Sequence, residues 1–115
     1  MNVKTKRVYQ QKEADDGTRI LVDRLWPRGL TKEKAAVDVW LKELAPSTAL
    51  RKWFNHEVDK WNEFQKRYQQ ELKGNKEQVL LLEGEIKKGA VTLVYGAKDE
   101  DHNEAVVLKK WLSRR

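Results

Sequence analysis

Ile20-Leu21-Val22-Asp23-Arg24-Leu25-Trp26-Pro27-Arg28-Gly29 is the stretch on which the reading of this chain turns. The unbroken apolar run Ile20 to Val22 is what a strand covered on both faces looks like. It leads directly into one carboxylate, two guanidiniums and an indole. Pro27 holds Trp26 extended, and Gly29 frees the backbone to turn. Charges at the end of a buried strand stand where α/β proteins place their ligands, so this segment points both to a fold class and to a site.

Outward from it, the pattern alternates between strands and helices. Val3 to Tyr9 reads as a first strand, Asp15-Asp16-Gly17 as a turn, and Arg19 to Leu25 as the second strand. Thr31 is placed to cap a short helical turn, and Val37, Val39 and Leu41 alternate with polar or bulky neighbours as a third strand. Ser47 caps a helix over Thr48 to Phe54. A longer helix follows from about Glu57 to Lys73, with Val58, Trp61, Phe64, Tyr68 and Leu72 as its apolar stripe. Asn75-Lys76-Glu77-Gln78 resembles a capping box, opening a helix whose core face is Val79, Leu82 and Ile86. Val91 to Tyr95, β-branched and aromatic between Gly89 and Gly96, is the most secure strand. A last helix presents Ala105, Leu108, Trp111 and Leu112. The expected architecture is one α/β domain over residues 1–115, a small mainly parallel sheet of about four strands covered by helices on both faces.

At 115 residues the chain buries a core without help from metal or disulfide. It contains no cysteine, which removes disulfides, thiolate catalysis and cysteine-based zinc sites and accords with a reducing compartment. Met1 to Arg7 lacks the apolar core of a secretory signal, and no apolar run approaches the roughly 20 residues that span a bilayer. The expectation is a cytoplasmic protein with no membrane partner. Lys and Arg number 24 against 18 Asp and Glu, a formal net charge of +6 that favours anionic partners. Yet 37% charged residues of both signs, interleaved throughout, chiefly describes solvated helix faces.

Three groups of residues have chemistry to offer. Arg24 and Arg28, four residues apart across the stiff Trp26-Pro27, are placed to clamp a phosphate or carboxylate, with Trp26 as a wall and Asp23 beside them. The competing reading is structural, the arginines holding Asp23, Asp99 or a backbone carbonyl at the strand end. The loop after the last strand emerges on the same edge of a parallel sheet. It carries Asp99, His102 and Asn103, with Tyr95 at its base: a proton acceptor, an imidazole and an amide. Asn103 also reads simply as a helix cap. Third, Ser47 at a helix start, with Arg51 one turn on and His56 nearby, adds anion-binding amides and a cation. A nucleophilic Ser47 is disfavoured, because no Gly-x-Ser-x-Gly elbow surrounds it and a cap explains it fully.

No cofactor is called for. Neither a P-loop nor a Gly-x-Gly-x-x-Gly fingerprint occurs, and His56 and His102, the two histidines, lack metal-ligand spacing. Basic and aromatic residues interleave at Arg51-Lys52-Trp53-Phe54, Lys66-Arg67-Tyr68 and Lys109-Lys110-Trp111, a mixture that single-strand nucleic-acid binders use. On a helix, adjacent residues point about 100° apart, so such pairs also arise from plain amphipathicity. Trp26 and Trp53 are the tryptophans least securely assigned to the core.

Val22 to Gly29, Leu44-Ala45-Pro46-Ser47, Trp61-x-x-Phe64 with Arg67-Tyr68 and Glu71-Leu72, and Leu93 to Tyr95 with His102-Asn103-Glu104-Ala105 together resemble the YeaO-like branch of domain-of-unknown-function family 488. The resemblance runs in order from Arg7-Val8-Tyr9 to Leu112. It implies a small cytoplasmic α/β sandwich and supplies no reaction. Asp23, Arg24, Trp26, Arg28, Ser47, Tyr95, His102 and Asn103 are its motif members, with roles argued from their chemistry alone. The leading expectation is a pocket at the carboxyl edge of the sheet for a small anionic ligand, a nucleotide or other phosphate compound. Arg24 and Arg28 grip the anion there, and Asp23 or Asp99 with His102 serve any proton transfer. The alternatives are a non-catalytic nucleic-acid-binding or accessory module, and an interaction protein whose arginines are structural.

Overall fold

The computed structural model describes residues 1–115. Four strands, β1 (Val3–Arg7), β2 (Thr18–Leu21), β3 (Val39–Trp40) and β4 (Val91–Tyr95), form one sheet in the order β1-β4-β2-β3. Every pairing is parallel, with Val3 opposite Val91, Ile20 opposite Leu93 and Ile20 opposite Val39. The helices are α1 (Lys32–Ala35), α2 (Thr48–Phe54), α3 (Trp61–Lys73), α4 (Lys76–Lys88) and α5 (Glu104–Ser113). No helix is long and apolar enough to cross a membrane.

Strand alternation divides the core unequally. Ile20, Val22, Val91, Leu93 and Tyr95 face one side, where α2 to α5 close a cluster of 19 buried residues around Phe64, Tyr68, Leu82 and Leu108. Leu21 and Val94 face the other, where with Val8 and Ala35 they make a cluster of four, roofed by α1 and the loop bearing Trp26, Leu30 and Val37. Both faces are covered, one by four helices and the other by a single helical turn. The parallel sheet and the expected elements are therefore present, with shorter strands than the sequence suggests.

The differences have local causes. The expected third strand, Val37 to Leu41, ladders only at Val39 and Trp40, with the Asp38 and Leu41 amides donating to the Arg19 and Leu21 carbonyls at its ends before the chain enters the Lys42–Leu44 turn. The first strand stops at Arg7 and turns, Gln10 donating back to the Arg7 carbonyl. The second stops at Leu21. Val22 still donates to the Val94 carbonyl at 3.1 Å, and beyond it a side chain replaces the ladder. The helix expected from Glu57 begins as a separate 3₁₀ turn at Val58–Lys60, which leaves Val58 exposed. The Asn75 capping box does not form: the Asn75 amide instead donates to the Glu43 carbonyl at 2.8 Å, tying α4 to the Lys42–Leu44 turn.

At the amino edge of the sheet, Gly17 enters β2 with φ of 65°. A methyl group there would collide with the backbone carbonyl of Ala90, and the left-handed backbone would be strained besides. Gly17→Ala is expected to cost about 2 kcal/mol or more, lowering Tm by roughly 10 °C in a thermal melt. An unchanged Tm would mean that this edge is not packed as described.

Candidate functional site

The site is built where β2 and β4 end side by side. One carboxylate oxygen of Asp23 accepts the Gly96 amide at 2.7 Å, and the Asp23 carbonyl accepts the Trp40 indole N–H at 2.7 Å. Three strand ends are thereby joined through one residue. A Cβ at position 96 would lie 3.1 Å from the Asp23 oxygen, so a larger residue would press on this carboxylate.

Arg24 turns the other way. Its Nε donates to the Pro46 carbonyl at 3.2 Å and its Nη2 to the Ala45 carbonyl at 3.1 Å, with the exposed Glu43 carboxylate 3.4 Å from Nη1. These bonds fix the segment that leads into α2, which is the structural role weighed against ligand binding for this residue. Trp26 donates to the Leu30 carbonyl at 2.8 Å and meets Trp40 edge-on, ring centroids 5.5 Å apart. Arg28 is different in kind: it is exposed, its carbonyl accepts the Tyr9 hydroxyl at 2.9 Å, and its guanidinium has no partner.

On the facing side, Ser47 caps α2 by accepting the Leu50 amide at 3.1 Å, while its hydroxyl donates to Glu71 at 2.6 Å and its amide to the same carboxylate at 2.8 Å. With its hydroxyl held on a carboxylate, Ser47 has no histidine base beside it. Arg51 projects from α2 exposed and unpaired, and His56 follows the helix with a left-handed φ of 56°.

The loop after β4 is folded on itself. Asp99 accepts the amides of Asp101 and His102, at 2.9 and 3.1 Å, and lies 2.9 Å from His102 Nδ1. The Asp101 amide first, then the imidazole, and last the His102 amide hold its carboxyl below the ordinary carboxylate range. The His102 ring stands edge-on to Trp61 at 5.1 Å. Asn103 caps α5, accepting the Val106 amide at 3.1 Å and donating to the Asp99 carbonyl at 3.0 Å. Tyr95 is buried in the core, and that burial raises its phenol.

Between these elements lies a cavity of about 460 Å³. It brings together Asp23, Arg24, Trp26, Arg28, Arg51, His56 and His102 from the sequence-derived set. Asp99, Ser47, Tyr95 and Asn103 do not line it: Asp99 stands behind His102, and the other three are occupied in capping or in the core. No group of three or more His, Asp or Glu side chains is arranged to hold a metal.

Among the polar lining residues, Tyr9 and Glu104 were not singled out as candidates from the sequence. Glu104 is the first residue of α5, a position where an acid needs no explanation beyond the helix dipole. In the fold desolvation first, and then the neighbouring Asp23 carboxylate, push its carboxyl well above the ordinary carboxylate range. Glu104 therefore holds its proton to higher pH than an exposed glutamate does.

Residues 2–115 match the family described as the inactive DUF488-N3 subclade. The chain belongs to that family. It is 47% identical over 112 residues to the uncharacterized protein YeaO of Escherichia coli, covering 97% of each chain. Over 70 residues it is also 47% identical to uncharacterized proteins of Mycobacterium bovis and Mycobacterium tuberculosis, covering 61% of this chain and 59% of each relative. No solved structure matches the chain.

The raised Glu104 carboxyl predicts a specific pH response. In the unfolded chain Glu104 titrates near its ordinary 4.5, whereas in the fold its pKa lies higher. Its contribution to stability is therefore complete below the unfolded value and is lost as pH rises through the folded one. Glu104→Gln mimics the neutral acid at every pH. Its Tm, followed by circular dichroism, is expected to exceed that of the unsubstituted protein by a margin that widens as pH rises above the unfolded value. Parallel Tm curves would contradict the raised Glu104 carboxyl.

Proposed function

We propose that this protein binds a small anionic ligand, of nucleotide or other phosphate type, in the carboxyl-edge cavity and does not transform it. The observation that carries this reading is the pair of unpartnered guanidiniums, Arg28 and Arg51, that border one cavity from opposite elements. Guanidinium forks suit phosphate oxygens, and the volume falls in the range of small-molecule sites, about 300 to 1,000 Å³. Arg24 positions the cavity wall through its carbonyl bonds and leaves the anion to the other two. Binding without turnover accords with the family's description as an inactive subclade, and with Asp99 lying outside the cavity. The absence of cysteine suits a cytoplasmic setting for such a binder.

The nucleic-acid alternative loses its aromatic platforms. Trp53 is covered by Arg67 and Lys60, whose charges lie 4.0 and 5.1 Å from its ring, and Trp111 by Arg115 at 4.7 Å. Trp61 stacks on Phe64 at 5.7 Å. These basic–aromatic pairs satisfy one another within the fold.

The test is thermal stability against mononucleotides, sugar phosphates and short oligonucleotides, each at low and moderate salt. A small phosphate compound at about a hundred times its Kd should add roughly 2.7 kcal/mol and survive the higher salt. Arg28→Ala and Arg51→Ala should each weaken its binding by about ten-fold or more with unchanged Tm of the free protein, since neither guanidinium has a partner to lose. Arg24→Ala should lower Tm itself. A shift from oligonucleotides alone, erased by salt, would favour the basic surface and contradict the proposal.

A further inference from the structure

α4 turns an apolar stripe away from the core. Val79, Leu82 and Ile86 pack inward. At about 100° per residue, Glu77, Leu80, Leu81, Gly84 and Lys88 fall on the opposite face. All five are exposed, Leu80 at 64% and Leu81 at 53%. They are the one adjacent pair among the exposed large apolar residues of the chain. Single exposed leucines need no explanation, whereas two side by side on a solvent-facing helix stripe point to a contact.

The middle of the stripe is a notch. No atom lies within 4 Å of where a Gly84 Cβ would stand, and Gly84 has no positive φ. Neither packing within the chain nor backbone conformation therefore calls for glycine here, although glycine inside a helix is less favourable than alanine. The charges are arranged about the notch, with Glu77 one turn before Leu81 and Lys88 one turn after Gly84. We propose that a second copy of this chain covers this face, α4 packing antiparallel on its counterpart about a two-fold axis.

An axis crossing α4 between Leu82 and Glu83 sets Leu81 of each copy over Gly84 of the other, a knob in a notch. The same register sets Glu77 opposite Lys88 at both ends and Gln78 opposite Lys87, so opposite charges meet and like charges do not. Lys88 is 76% exposed and only 3.5 Å from its own Glu85, which leaves its amine able to reach across. Glu83 is drawn aside to Arg115 at 3.4 Å. A single pair of 13-residue helices buries less than a standard interface, so the dimer is weak and concentration-dependent. α4 contributes no residue to the carboxyl-edge cavity, so both cavities stay open and the dimer does not depend on the anion-binding reading.

Sedimentation equilibrium of the full chain from about 10 μM to about 1 mM at low salt should show the mean mass rising from one chain toward two. Gly84→Gln, which fills the notch, and Leu81→Gln, which removes the knob, should each weaken association about ten-fold, with circular dichroism and Tm of the dilute protein showing the fold intact. Glu77→Lys and Lys88→Glu should each weaken it several-fold, since each opposes like charges at both ends. The double variant Glu77→Lys with Lys88→Glu restores opposite charges in this register and should recover dimerisation. An equimolar mixture of the two single variants should likewise associate more tightly than either alone. A chain that stays monomeric to about 1 mM would overturn the proposal. So would association indifferent to Leu81→Gln and Gly84→Gln, which places the contact elsewhere, or failure of both the double variant and the mixture to recover it, which excludes the antiparallel register.

Discussion

The 2.7 Å bond from the Gly96 amide to the Asp23 carboxylate is the constraint on which the cavity depends. β2 and β4 pair in register through Leu21 and Val94, and the ladder continues one step to Val22. Past that point the strands must separate, since their connections leave in different directions. Asp23 holds the two ends together where backbone pairing stops. With the ends fixed, the β2 turn is free to place Arg24 on the carbonyls before α2 and to leave Arg28 in solvent. The β4 loop meanwhile closes through Asp99 and Asn103 into α5. Glu104 then lines the same cavity as Asp23 because the cap sets where the helix starts.

The opposite edge of the sheet treats charge differently. Arg19 is fully buried on β2, donating to Asp16 at 3.0 Å and to the carbonyls of Val8 and Ala35 at 3.1 and 2.9 Å. Lys6 adds a second cation, 3.2 Å from Asp16. Burial opposes ionisation of Asp16, but the Arg19 bond, the Glu13 amide and Lys6 together leave its carboxyl below the ordinary range. Apart from the Arg19 Nε, which is buried without a partner, these charges are met by one another and by backbone oxygens. At the carboxyl edge two guanidiniums are unspent and border a cavity. That contrast, more than the net charge of +6, is what marks a site.

The order of elements was legible because the relevant signals are local. Val91 to Tyr95 is all buried strand, Ser47 and Asn103 cap as their positions suggest, and Phe64, Tyr68 and Leu72 are buried at helical spacing. The carboxyl-edge location followed from the parallel topology, and Asp23, Arg24, Trp26, Arg28, Arg51, His56 and His102 do line one cavity. What could not be read were consequences of apposition between distant segments. Arg24 and Arg28 look equivalent in sequence, yet only the fold supplies carbonyls to one of them. Glu104 looks like an ordinary helix-start acid until α5 brings it to the cavity that Asp23 also lines. Asn75 has a capping pattern but meets the Glu43 carbonyl first.

The most direct test of the account is a crystal structure of the protein with a bound mononucleotide. The phosphate should lie between the Arg28 and Arg51 guanidiniums, within about 3 Å of both, with Arg24 still on the Ala45 and Pro46 carbonyls and the rest of the ligand inside the cavity. A ligand seated elsewhere on the basic surface, with the cavity containing only water, would contradict it.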